Sequence, residues 1–422
     1  MTTYRGCARH RQPSCRAFPA SRWARPALIV SSASLTLALL SAPVAAGARP
    51  AATSPERSAV ASSASHWGSF FGNGTADNDR LLSPTPISLP AAVTEVASSN
   101  STQYALLANG AVYAWGLGGD GQLGDGGTAD SFTTPVEVDF PTGVKIASLP
   151  TDAMPFNTGL AVDESGHVWG WGDDSSGQLC LGTHQQYLKP VELPLAHVTA
   201  LAGAGDHALY FADGTLEACG GNGDGDLGDG SLAPSMTPVP VSGFTGRHVR
   251  VLVASYHDSG ALLADGQYFD WGYDGQGQLG NGTTGTDSDL PVSVHIPLSV
   301  SQVVEGGSFT GNGQTLVLLS GGTIDAWGAN QSGQLGNGAT VGEPSPVVVT
   351  PPPGVTYELL ASGATTSYGL TTTGDLYSWG GSTDGQVGNG GTRTELSPVM
   401  VESGVSTLSS TALDVVTGPA ST

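Results

Sequence analysis

Residues 300 to 349 show the pattern that governs the chain: short apolar runs separated by glycine-rich polar breaks. Ser301-Gln302-Val303-Val304 predicts a first strand. Thr315-Leu316-Val317-Leu318-Leu319 predicts a second, and its nearly unbroken apolar run predicts burial. Gly321-Gly322 predicts a turn, and Thr323 to Trp327 a third strand. A glycine-rich loop follows, and Pro346-Val347-Val348-Val349 predicts a fourth strand. No long stretch beyond the N-terminus has the apolar period of a helix.

This unit recurs. Trp327-Gly328, then Gly333-Gln334-Leu335-Gly336-Asn337-Gly338, is copied by Trp271-Gly272 with Gly277 to Gly282, by Trp115-Gly116 with Gly121 to Gly126, and by Trp379-Gly380 with Gly385 to Gly390. Two copies drift. Trp171 leads to Gly177-Gln178-Leu179-Cys180, and Cys219 replaces the Trp before Gly225-Asp226-Leu227-Gly228-Asp229-Gly230. A shortened copy runs from Trp67-Gly68 to Gly72-Asn73-Gly74. A period of about fifty residues marks a repeat architecture. Four short strands per period predict the blades of a β-propeller. Trp67, Trp115, Trp171, Trp271, Trp327 and Trp379, with Cys219 in the same position, are expected to be structural, filling the space between blades. The Gln is expected to satisfy loop backbone groups, and the Leu or Val to plug the loop into the blade. Pro135, Pro190, Pro238, Pro291, Pro346 and Pro398 are each expected to open the fourth strand at the outer edge, where a missing N–H is tolerated.

The ring must close. Gly404-Val405-Ser406-Thr407-Leu408 resembles Gly143-Val144-Lys145-Ile146-Ala147, and Thr411-Ala412-Leu413-Asp414-Val415 resembles Thr158-Gly159-Leu160-Ala161-Val162. The tail is therefore expected to carry the first two strands of a blade whose third strand is Ala64 to Gly68. The expected fold is all-β: a seven-bladed β-propeller of four-stranded blades over residues 64–418, closed by a composite blade from both termini, with a tail at 419–422.

These motifs resemble the regulator of chromosome condensation repeat family: Trp-Gly, Gly-Gln-Leu-Gly-Asn/Asp-Gly, Pro-Val, and an Asp-Gly turn before the next Trp-Gly. The resemblance covers residues 64 to 416. WD40 units are shorter and end in Trp-Asp, and kelch units place their glycines differently. The resemblance implies a seven-bladed ring with a binding or scaffold role. The family's best-known member is a nuclear exchange factor for a small GTPase, and a soil-bacterial relative is a secreted β-lactamase inhibitor. A fold does not fix a function.

The N-terminus departs from the nuclear setting. Arg5, Arg9, Arg11, Arg16, Arg22 and Arg25 precede a largely apolar run from Ala27 to Val44, then Val44-Ala45-Ala46 or Ala46-Gly47-Ala48 as a small-residue exit. This order predicts a secretory signal over 1–48. A retained membrane anchor is the rival reading, weakened by Ser31, Ser32, Ser34 and Ser41 within the run. The Ala, Ser and Pro-rich residues 49–63 predict a disordered linker. Loss of the leader removes six of the 14 basic residues and no acid, leaving eight against 36 and a net charge of −28. Such a surface repels nucleic acid and anionic lipid and favours a basic partner. Solubility alone is the plainer reading of that charge. Cys180 and Cys219 remain after cleavage. Either they bridge neighbouring repeats in an oxidising compartment, or Cys219 is simply a small buried residue.

No motif carries catalysis. Gly116-Leu117-Gly118-Gly119-Asp120-Gly121 has the glycine spacing of a dinucleotide loop but precedes a strand, not a helix. Asn222-Gly223-Asp224-Gly225-Asp226 hints at a calcium loop, but Leu227 and Ala233 stand where Gly and Glu are needed. The scattered histidines predict no metal site, and no cofactor is expected. One ring position, counted back from each turn glycine, yields Gln103, Thr158, His207, Ser259, Gln314 and Ser367. These are expected on loops at one face, as partner-binding residues or as ligands of loop backbone. Phe70, Phe71, Phe156, Tyr256 and Tyr273 are expected on the same face as an aromatic patch. The chain thus reads as a secreted or envelope-associated, non-enzymatic monomer. Its expected partner is a protein or cell-wall polysaccharide, with no nucleic acid and no membrane after cleavage. The alternative is a regulator of an enzyme or GTPase, inhibitor-like or exchange-like.

Overall fold

The computed structural model describes residues 64–68, 81–99, 102–150, 154–195, 197–296, 300–307, 311–383 and 385–403. The leader 1–48, Phe70, Phe71 and the tail strands expected at 404–408 and 411–415 lie outside them. The described residues form six four-stranded antiparallel blades and one two-stranded sheet, not seven four-stranded blades. Blade one is Val93–Ser98, Thr102–Leu107, Val112–Gly116 and Ser131–Glu137. Blade two is Ile146–Ser148, Thr158–Asp163, Val168–Gly172 and Tyr187–Glu192. Blade three is Val198–Ala204, His207–Ala212, Thr215–Gly220 and Ser235–Pro240. Blade four is Val249–Ala254, Asp258–Leu263, Tyr268–Gly272 and Ser288–Val294. Blade five is Val300–Gly306, Gln314–Leu319, Ile324–Gly328 and Glu343–Val348, and blade six is Tyr357–Ser362, Thr366–Thr371, Leu376–Gly380 and Glu395–Glu402. Ala64–Gly68 pairs with Leu81–Ile87 in the two-stranded sheet.

Each blade runs in sequence order from strand one to strand four. Second strands such as Asp258–Leu263 and Gln314–Leu319 are buried along their whole length, as the apolar run Thr315 to Leu319 predicts for the latter. First strands of successive blades three to six touch one another.

The prolines correct the sequence reading. Each lies inside the fourth strand, not at its start. In blade five Ala326 pairs with Val347 and Gly328 with Glu343, so Pro346 sits in an irregular stretch of the ladder. The same interruption holds Pro135 and Pro238. A bulge leaves an N–H unpaired in any case, so proline costs nothing there. The glycine of each Trp-Gly anchors the kink. Gly272 has φ 110°, and a Cβ there would lie 2.4 Å from the His257 carbonyl oxygen.

The Gly-Gln-Leu-Gly-Asn-Gly loop clasps the next blade. The indole Nε1 of Trp327 donates to the Gln278 carbonyl at 2.7 Å, and Trp379 donates to Gln334 at 2.9 Å. Trp171 and Trp271 do the same to Gln122 and Asp226. The second glycine of the motif makes room, since a Cβ on Gly280 would lie 2.6 Å from the Trp327 ring. The last glycine donates its N–H to the next blade's fourth strand, Gly282 to Pro344 and Gly338 to Leu396. Gln278 Oε1 accepts from the Gln276 N–H, and Leu279 is fully buried, as expected for a loop tie and a plug.

One seam is built differently. Cys180 replaces the second glycine of its motif and Cys219 replaces the following Trp, and the two form a disulfide with Cα atoms 5.6 Å apart. Cys180 keeps the glycine-like backbone, with φ 59°. Tyr210, buried in the same cluster, stands where the other blades have Ala105, Ala161, Ala261, Val317 and Gly369. A larger neighbour compensates for the lost indole volume.

Candidate functional site

The antiparallel order brings the loops between strands one and two, and between three and four, to one face. Hydrogen bonds join them: Thr102 Oγ1 donates to the Leu117 carbonyl, Thr158 Oγ1 to Asp173, and Thr366 Oγ1 to Gly381. The Asp213-Gly214 and Asp265-Gly266 turns lie at the other end of the strands.

The ring residues do not behave as loop residues. Gln103, Thr158, His207, Ser259, Gln314 and Ser367 all begin or nearly begin second strands, and all are buried. They also occupy two rows. Gln103, Ser259 and Ser367 pair with the motif Trp, whereas Thr158, His207 and Gln314 pair with the glycine after it. Counting from the turn glycine missed this slip, and one residue exchanges the two faces of a strand. Part of the cause is a tight turn in blade three, where Ala212 pairs with Thr215 around Asp213 and Gly214 at φ 49° and 78°. The side chains of His207, Ser259, Gln314 and Ser367 tie neighbouring blades together. Ser259 Oγ donates to the Asp226 carbonyl and Ser367 Oγ to Gln334, the same oxygens that accept from Trp271 and Trp379. Gln314 Nε2 reaches Ser362 Oγ and the Gly363 carbonyl in the next blade.

His207 and Ser259 meet across the blade three–four seam, with Nε2 and Oγ 2.8 Å apart. Because the Ser259 hydroxyl proton goes to the Asp226 carbonyl, the His207 Nε2–H donates to the Ser259 hydroxyl oxygen instead of withdrawing its proton. Burial lowers the His207 pKa to about 4, so the ring is neutral. Both residues are sealed from solvent, which suits a structural tie and not a nucleophile.

Of the five aromatic residues, Phe156, Tyr256 and Tyr273 come together. Phe156 stands edge-on to Tyr256 at 6.0 Å between ring centres. Tyr256 adjoins His257 at 4.8 Å, and His257 adjoins Tyr273 at 5.9 Å. The four rings form a half-exposed step across blades two to four. His257 Nδ1 lies 2.9 Å from Asp224 Oδ2. The sequence reading did not place His257 here; its signal was its position between Tyr256 and the second strand. Glycines seat the rings. A Cβ on Gly275 would lie 2.0 Å from the Tyr273 hydroxyl, on Gly311 2.8 Å from its ring, and on Gly205 2.2 Å from the Tyr256 carbonyl oxygen.

A second cluster is closed to solvent. Tyr268 donates to Glu305 across the blade four–five seam, and Asp270 and Asp258 are buried beside them. Burial, then the neighbouring Glu305 and Asp258, pushes the Asp270 carboxyl well above its ordinary range. No group of three or more metal-binding side chains comes together among the described residues.

The profile of the regulator of chromosome condensation (RCC1) repeat matches residues 109–149, 165–210, 265–311, 322–370 and 373–421. The ultraviolet-B receptor UVR8 of Arabidopsis thaliana is 29% identical over 321 residues, covering 74% of this chain and 70% of the receptor. Human WBSCR16 superposes with a TM-score of 0.70 at 21% identity, over 81% of this chain and 94% of that one. Prp20p of Saccharomyces cerevisiae, whose structure is described with its binding properties to Gsp1p and histones, superposes with a TM-score of 0.68 at 21% identity. That match covers 80% of this chain and 85% of Prp20p.

Proposed function

The chain belongs to the regulator of chromosome condensation (RCC1) repeat family, and from that premise we propose a secreted, non-enzymatic, monomeric propeller that binds a partner protein. The binding face is the one carrying Phe156, Tyr256 and Tyr273. The observation that carries the reading is the half-exposed aromatic step, seated by glycines on a rigid ring. Rigid aromatic anchors on a preformed surface are the usual source of interface energy. The binding of Gsp1p and histones by Prp20p supports a protein as the partner class. The basic leader, apolar core and small-residue exit support export, and the Cys180–Cys219 bridge suits an oxidising compartment.

Closure by a composite seventh blade belongs to the same reading. Each motif's last glycine donates to the second residue of the following fourth strand, and Gly390 donates to Leu82 in Leu81–Ile87. That bond supports Leu81–Ile87 as the fourth strand of the blade after blade six.

The test is affinity capture from culture supernatant and cell envelope, with the mature ring as bait, followed by titration of the captured protein. Tyr256→Ala with Tyr273→Ala should weaken binding by about 2 kcal/mol or more, because exposed aromatic anchors dominate interfaces. Loss of affinity only with Asp213→Lys and Asp265→Lys, on the opposite face, would refute the choice of face.

A further inference from the structure

We infer that the aromatic step is a seat for an arginine side chain presented by a basic segment of the partner. Its guanidinium lies against Tyr256 and Tyr273 and pairs with Asp206 and Asp224. The inference rests on the protein-binding reading above and adds the chemistry of the partner.

Three observations carry it. The first is charge. The loops spanning residues 117–130, 173–186, 205–206, 221–234, 255–257 and 273–287 surround the step and contain no lysine or arginine, while they carry repeated aspartates. Asp206 is exposed beside Tyr256, and its charge helps to raise the Tyr256 pKa, after burial. Asp224 is held against His257 at the base of the step. Among the described residues the only basic side chains these loops carry are the imidazoles of His184 and His257, so a guanidinium or ammonium at the step would come from another molecule.

The second observation is that the repeat does not require the rings. The residue after Trp-Gly is Leu117, Asp173, Gly221, Ala329 or Gly381 in the other five blades, and Tyr273 only in blade four. A blade closes without an aromatic there. The cleared space around Tyr273, bounded by Gly275 and Gly311, is thus fitted to the ring and not to the fold.

The third is the combination of chemistries. Ring faces attract cations, and carboxylates beside them accept hydrogen bonds. Arginine suits both at once: its planar, weakly hydrated guanidinium stacks on a ring and presents a fork of N–H donors to a carboxylate. The strongly hydrated ammonium of lysine gains less from the ring and cannot donate in that fork.

The probe is a fluorescein-labelled peptide of alternating glycine and arginine, with lysine, citrulline and glutamate versions. Fluorescence anisotropy is read against the whole purified protein at physiological salt. The arginine peptide should bind, the lysine peptide at least fivefold more weakly, and the citrulline and glutamate peptides not measurably. Tyr256→Ala/Tyr273→Ala and Asp206→Asn/Asp224→Asn should each weaken the arginine peptide at least tenfold with unchanged melting temperature. Asp213→Lys/Asp265→Lys should leave it within twofold. Equal binding of arginine and lysine peptides, insensitive to the tyrosines, would reduce the effect to diffuse charge attraction and overturn the inference. So would no binding of the arginine peptide. If a captured protein still depends on Tyr256 and Tyr273 in that case, the binding face stands and only its arginine chemistry falls. If the captured protein ignores both tyrosines, the face itself is wrong.

Discussion

The disulfide seam between blades two and three offers a test that the repeat itself controls. At four other seams a buried Trp fills the gap and bonds to a carbonyl of the preceding loop, while here Cys180 and Cys219 are joined. The bridge spans 39 residues, and the chain-entropy model assigns closure of such a loop about 4 kcal/mol. A buried Trp is worth about 3–5 kcal/mol by truncation, so the two devices are of equal strength. Replacing both cysteines by Ala should cost about 4 kcal/mol. In a cooperative ring of about 340 residues that lowers the melting temperature by roughly 5–6 °C. Cys180→Gly with Cys219→Trp should fail alone, because Tyr210 occupies the space that alanine, valine or glycine leaves elsewhere. Adding Tyr210→Ala should restore the seam to within about 2 kcal/mol of the parent, now insensitive to reductant, since the volume is conserved. The assay is thermal and urea unfolding, with and without a phosphine reductant. A reduced parent as stable as the oxidised one would refute the bridge's role. A triple variant no better than the double alanine would refute the equivalence of bridge and Trp.

Other expectations follow from the same geometry. Trp327→Ala should cost on the order of 3–5 kcal/mol in urea unfolding, because it empties a buried site and orphans the Gln278 carbonyl; parent-like stability with lost binding would place that Trp in a site instead. Deleting Gly404 to Thr422 should make the protein aggregate or melt far lower if the tail completes the blade after blade six; a truncated chain that melts like the parent would refute that closure. Burial pushes Glu95 up to about 7 and Asp274 to about 6, and Asp270 also rises, so the folded chain keeps protons that the unfolded chain releases above about pH 4. The neutral buried His207, lowered to about 4, opposes this trend below about pH 6.5, but the three raised carboxyls outweigh one imidazole, so stability should fall as pH rises from 4 through 7, with Asp270→Asn/Glu305→Gln flattening the slope; a melting temperature that climbs over that window would reverse the sign. Mass spectrometry of the native protein should find cleavage near Ala46 or Ala48, and an intact leader would overturn export.

What could be read from the sequence was what repeats. Strand order, the buried second strand, the Trp plate and the leucine plug each recur several times, so chance is averaged away and one copy checks another. What could not be read was what crosses between copies. The indole of one blade bonds to the loop of the blade before it, 45 to 49 residues away, and a motif scanned one period at a time does not show that relation. The prolines were misplaced for a related reason: the bulge exists because the third strand kinks at a positive-φ glycine, a property of the pair and not of either strand. His207 falls in a different row from Ser259 because a single deleted residue in a tight turn shifts the register, and register decides which side chains meet across a seam.

The repeat also supplies a standard against which departures become informative. Where blade three loses its Trp, the preceding glycine becomes cysteine and a tyrosine fills the space, so three changes serve one seam. Where blade four gains Tyr268 and Asp270, Gly260 replaces the Tyr104, Leu160, Leu209, Leu316 or Tyr368 found elsewhere, and a Cβ there would lie 2.1 Å from the Tyr268 hydroxyl. Glu305 in the next blade accepts that hydroxyl. Both sets are buried, so neither offers a surface to solvent. The step of Phe156, Tyr256, His257 and Tyr273 departs from the repeat too, yet its rings stop half-way into solvent. A departure from the repeat that still meets solvent is where the propeller offers a surface to another molecule.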